Sequence, residues 1–278
     1  MPDPRPAEAP AQGVPAGPPA GGCATLPLSV TALAVSVQEQ PCYRPVSGLA
    51  DTDDLLPLVQ AVAELKGIPA HRLEMLTDPG DGKDVSTLAL AALGAPPEPQ
   101  PLFYVRSGPL PDPYVATLAR LVHEAGWAGP DTGVTHLDEL GGTLVFDLLA
   151  WAADPVAGAT ALICDEEMFA DARTGLEPAT AVALRVRRGP GPLEVLALGE
   201  GAPGPHALAA DHRFGGPRAC DGWTRLGAAL DSGSIAAGER VLLHTRGPHR
   251  EGWLLLRAAD PAALERAGDG PGRRSAAA

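Results

Sequence analysis

The stretch from Gly133 to Asp165, GVTHLDELGGTLVFDLLAWAADPVAGATALICD, constrains the fold of this chain more than any other. It reads as an extended segment, a Gly-Gly turn at Gly141 and Gly142, an apolar helix over about Gly141 to Ala153, and a second strand ending at Cys164. Leu144, Val145, Leu148, Leu149 and Ala152 leave that helix little polar face beyond Thr143 and Asp147, which predicts a central, buried position. An elbow of this kind sets one side chain at the N-terminus of a buried helix, where free backbone N–H groups and the helix dipole favour a thiolate or an oxyanion. That side chain is Leu140, which has nothing to ionise, donate or accept.

Around the elbow, strand and helix patterns alternate. Leu28 to Val37, LSVTALAVSV, is rich in β-branched residues and reads as a strand. Asp51, Thr52, Asp53 and Asp54 open a helix whose Leu55, Leu58, Val59, Val62 and Leu65 share one face before Gly67 and Pro69 stop it. Ser86 to Leu93 reads as a helix and Pro101 to Ser107 as a strand. Asp112 or Pro113 then opens a helix with Val115, Leu118, Leu121, Val122 and Ala125 on one stripe. Such alternation predicts an α/β fold with a mainly parallel sheet and helices on its faces. Beyond Cys164, Thr180 to Val186 and Leu193 to Leu198 form a hairpin around Gly189 to Pro192, residues 223–231 a helix, and Arg240 to Thr245 with Gly252 to Arg257 a closing strand pair. The Gly80, Asp81, Gly82, Lys83 run lacks the full phosphate-loop spacing and reads as a turn.

A net charge of -13 excludes the basic face that nucleic acid or an anionic membrane surface requires. No apolar run approaches the roughly 20 residues of a membrane span. Met1 to Gly22 is mostly Pro, Ala and Gly, without the basic start and apolar run of a secretory signal, and is expected to be disordered. Cys23, Cys42, Cys164 and Cys220 form no C-x-x-C pair, which predicts reduced thiols in a cytoplasm. Cys164, ending a buried strand, reads as an inert small hydrophobe. Cys220 stands near Asp221 and His212, and is the thiol with candidate acid and base neighbours in sequence. Asp165, Glu166 and Glu167 read as a hydrated acidic loop, and His244 and His249 lack a third ligand, so neither a metal nor a cofactor is expected.

Two longer stretches carry a family resemblance. One is the elbow helix followed by ATALICDEEMFADA and TGLEPATAVALRVRRGPGPLEVLAL; the other is LGAALDSGSIAAGERVLLHTRGPHREGWLLLR. From about Leu28 to Arg257 the chain resembles the thiolase-fold condensing enzymes, specifically the ketoacyl-acyl-carrier-protein synthase III group. The resemblance implies a layered αβαβα fold with a shortened second half. Residues 1–25 would be a tail, 26–200 the N-terminal half with the central hairpin, 201–260 the shortened C-terminal half and 261–278 a second tail. In that family an elbow cysteine is the acylated nucleophile, while a histidine and an asparagine stabilise developing charge. Leu140 stands at the cysteine position and Gly216 at the asparagine position. The histidine segment is cut short; His206 reads as a loop histidine, with a remnant of that segment's motif as the alternative, and the glycine-rich turn near the end is altered to Gly247, Pro248, His249.

Two functions follow from these departures. One is a catalytically silent subunit resembling the chain-length factors of polyketide synthesis, partnered by a ketosynthase-like protein or a second copy of itself, and by an acyl carrier protein. The other is a divergent acyltransferase or hydrolase acting on acyl-thioesters through Cys220 or His206.

Overall fold

The computed structural model describes residues 28–48, 52–77, 83–106, 117–173 and 177–266. Most of both tails, the Gly80 to Gly82 turn and the helix start at Asp112 lie outside them. In chain order the first part runs β1 (Leu28–Gln38), β2 (Tyr43–Pro45), α1 (Thr52–Lys66), β3 (Leu73–Leu76), α2 (Val85–Leu93), β4 (Leu102–Arg106), α3 (Thr117–Ala125), β5 (Asp131–Val134), α4 (Gly141–Ala152) and β6 (Ala159–Asp165). There follow β7 (Phe169–Asp171), β8 (Ala179–Arg188), β9 (Leu193–Glu200), α5 (Pro205–Leu208), β10 (His212–Gly216), α6 (Asp221–Asp231), β11 (Arg240–Arg246), β12 (Glu251–Ala258) and β13 (Glu265–Arg266).

In the first half the strands lie in the order β5-β4-β6-β8-β1. β4, β5 and β6 are parallel, and β8 turns antiparallel to both β6 and β1. β4 is buried along its whole length, as a strand covered on both faces must be. Its outer cover is α2 and α3, whose Val85, Ala89, Leu90 and Leu121 pack on Leu102, Tyr104 and Leu162. The second half continues through β9-β12-β11-β10. The seam between the halves is narrow, with Ser29 opposite Glu194 and Val30 opposite Leu193.

α4 and α6 fill the space between the two inner faces. Val145, Phe146 and Leu149 of α4 and Trp223, Leu226 and Leu230 of α6 share one apolar cluster with strands of both halves. Phe146 and Trp223 stack with ring centroids 5.7 Å apart, and the Trp223 indole N–H donates to the Gly142 carbonyl at 2.8 Å. The central position expected for the elbow helix is therefore real, but its burial is one-sided: Leu144, Leu148 and Ala152 are half-buried, and Trp151 is 74% exposed.

Two further differences concern short elements. β2, β3 and β7 form a small separate sheet over which α1 packs, and their three- or four-residue length gives no alternation to read from sequence. β10, the edge strand of the second half, was likewise hidden, because His212–Gly216 carries two glycines and little β-branched content. Between β9 and β10, residues 201–211 contain just the four-residue α5 to cover the outer face of that half. Among the described residues no helix is long and apolar enough to cross a membrane.

Candidate functional site

The elbow turns upstream of the glycine pair that was expected to make it. His136 and Asp138 both adopt positive φ, 65° and 47°, and a 3-10 turn over Asp138–Leu140 leads directly into α4. Histidine and aspartate tolerate this left-handed region better than branched residues, and the second half holds the turn in place. The Arg250 guanidinium donates to the His136 carbonyl at 3.1 Å and to the Glu200 carboxylate at 3.0 Å. Gly141 and Gly142 are already helical and are needed for close approach. A Cβ on Gly141 would come within 2.9 Å of Val105, and one on Gly142 would overlap the Ala219 carbonyl.

Leu140 is completely buried. A Cβ on Gly252 of β12 would lie 2.6 Å from a Leu140 methyl, so β12 lies tightly against it. The β11–β12 turn closes over the neighbouring residue: Gly247 packs against the Glu139 side chain, and the His249 N–H approaches the Glu139 carboxylate at 3.4 Å. The second Glu139 oxygen is buried without a hydrogen-bond partner. Glu139, His249 and Arg250 thus meet at the elbow, a cluster the sequence reading missed because more than a hundred residues separate its parts.

Gly216 closes β10, and a side chain there would overlap the Asp221 carboxylate. That carboxylate accepts from the Arg218 backbone N–H at 3.1 Å and lies 3.4 Å from the Arg218 guanidinium. Cys220 is completely buried, with its thiol near the Ile163 and Thr180 carbonyls at 3.5 and 3.7 Å. Burial, reinforced by the charge of Asp165, pushes this thiol well above its usual range. The structure does not gather Cys220, Asp221 and His212 into one set, because the His212 ring bonds Glu239 at 2.8 Å. His206 is exposed on α5, over the outer face of the second half and across the sheet from the elbow. Burial raises the Cys164 thiol to about 12.

The three consecutive acids are not a hydrated loop. The Asp165 carboxylate accepts from the Cys220 N–H at 2.5 Å, and burial raises its pKa. Glu166 forms a buried ion pair with Arg106 at 3.3 Å, and here too burial raises the carboxyl, with Arg106 acting against it. Glu167 alone of the three faces water, 3.1 Å from Lys66. These acids fasten β6 to α6 and β4 instead of presenting a ligand set. Among the described residues no group of three or more His, Cys, Asp or Glu is placed to hold a metal ion.

No protein-family model matches this chain, and no curated protein matches it in sequence. Solved structures do. ChlB3, described as an acyltransferase, superposes with a TM-score of 0.56 at 14% identity, covering 86% of this chain and 99% of its own. A variant of OleA from Xanthomonas campestris gives 0.53 at 11% identity, covering 83% and 98%. An HMG-CoA synthase complexed with CoA gives 0.57 at 9%, covering 86% and 87%. Layer order, the central helix pair and these superpositions agree: the chain has a thiolase-like layered α/β fold, shared with condensing enzymes at identities that speak for fold alone.

Proposed function

We propose that this chain is a catalytically silent thiolase-fold subunit that pairs with an active condensing enzyme, or presents an acyl carrier protein to one, in fatty-acyl or polyketide assembly. The observation that carries the reading is Leu140, an aliphatic side chain wedged against Gly252 at the position best placed for a nucleophile. Gly216 supplies no donor, and Asp221 fills the space a donor would need. An acyltransferase or hydrolase route through Cys220 would have to ionise a fully buried thiol, and His206 lies across the sheet. Partnership is supported by two features of the first half. β5 is an edge strand with Asp131, Thr132 and Gly133 exposed, and α4 leaves Leu144, Leu148 and Trp151 incompletely covered.

The test is intact-mass analysis after incubation with acyl-CoA and acyl-carrier protein, together with co-purification from the native host. Unmodified protein that brings down a ketosynthase or a carrier protein is the expected result. A covalent acyl adduct, or turnover surviving Cys220→Ala and Cys164→Ala, would overturn the silent reading. A monodisperse monomer that binds neither partner would overturn the pairing.

A further inference from the structure

The outer face of the second half carries a groove that the elbow does not use. Strand alternation places Arg240, Leu242, His244 and Arg246 of β11 on this face. Arg213 of β10 lies opposite Leu242, and Trp253 and Glu251 of β12 lie opposite His244 and next to Arg246. The short α5 covers one end of the face, where Ala207 packs on Ala197, Leu242 and Leu255. At the other end a groove of about 600 Å³ remains, with Leu242 and His244 in its floor, Leu208 in its wall, and Arg213 and Arg246 on its rim. Beneath the groove Gly215 lets β10 approach β11 closely, since a Cβ there would overlap the His244 carbonyl.

We propose that this groove binds a small amphiphilic anion, an alkyl chain ending in a carboxylate or a phosphate monoester. Its volume falls in the range of small-molecule sites, and it joins an apolar strip to a few convergent polar groups. Charge complementarity selects an anion. On a chain of net charge -13, among the described residues no carboxylate pairs with Arg213, whose guanidinium donates to the Leu208 carbonyl. Glu251 is the acid beside the groove, and it is engaged by His244 at 2.7 Å and Arg246 at 2.9 Å. The remaining guanidinium N–H groups of Arg246 and Arg213 are the donors for the head group, with the chain lying over Leu242 and Leu208. The groove is across the sheet from Leu140, so this inference does not rest on the silent-subunit reading.

Isothermal titration of the full chain with octyl phosphate, octanoate and octan-1-ol tests it. One site per chain for at least one of the two anions is expected, with the alcohol at least about tenfold weaker. The better of the two anions identifies the head group. Arg213→Ala and Arg246→Ala, both at the rim, should each weaken the anion about tenfold, and Leu208→Glu should abolish it. Absence of binding by both anions at millimolar concentration, equal binding of the alcohol, or wild-type affinity in both arginine variants would overturn the proposal.

Discussion

At position 216 what excludes a side chain is a neighbouring carboxylate, that of Asp221. Gly216→Asn should therefore destabilise the protein by about 1–3 kcal/mol through overpacking, seen as a lower melting temperature, and adding Asp221→Ala should relieve most of that loss. Leu140→Cys faces a different obstacle. It shortens a buried side chain and places a thiol at the helix start; on the proposed reading position 216, a glycine, supplies no oxyanion donor, and each missing donor typically costs about 100- to 1,000-fold in rate. Slow acylation visible by mass spectrometry, without condensation of malonyl-carrier protein, is the expected outcome; efficient turnover would refute it. Asp165 offers a pH test. Burial raises its carboxyl in the folded chain, so the stability it contributes is full below its unfolded value of 3.8 and is lost as pH rises through the folded value. Asp165→Asn keeps an acceptor for the Cys220 N–H and removes the titration. It should melt above wild type at pH 7, with the margin vanishing near pH 4.

Among the elements, α4 is the one whose open stripe matters. Trp151 is 74% exposed at the end of the Leu144, Leu148 line, and Trp151→Glu should convert an associated species to monomer in analytical ultracentrifugation while leaving the melting temperature nearly unchanged. Unchanged mass would remove α4 from the interface. The same helix shows how much was legible beforehand. Its apolar length announced a central element, and β1, β4, β6, β8, β9 and the closing β11–β12 pair carry β-branched or continuous apolar runs that identify strands on sight. β2, β3 and β7 are too short for periodicity, and β3 finds its partners far along the chain, with Pro45 of β2 opposite Glu74 and Asp171 of β7 opposite Leu73. The elbow was readable as a position, with Leu140 at the start of the helix. Its turn was not, because the left-handed residues are His136 and Asp138 instead of the glycines. Nor were its neighbours, since Gly252, Gly247 and Arg250 arrive from the far end of the chain.

Over the whole molecule, the middle layer matters more than the sheet seam. Two register pairs join β1 to β9, while the Phe146–Trp223 stack sits among side chains from both halves. Phe146→Ala should cost about 3–5 kcal/mol and lower one common unfolding transition. Amides in β6 and β12 should then lose hydrogen-exchange protection to the same extent, and loss confined to β6 would show that the halves unfold separately. The interlock of the Gly247–Glu139 and Gly252–Leu140 contacts has a further consequence for recombination. Each pair matches a bulky residue of the first half to a bare backbone position of the second, so the halves are keyed to one another. A chimera grafting in the second half of a thiolase-fold relative with any larger residue at position 247 or 252 would clash at the elbow, whatever the quality of its own core, and transplantation would succeed only when both sides of the key move together.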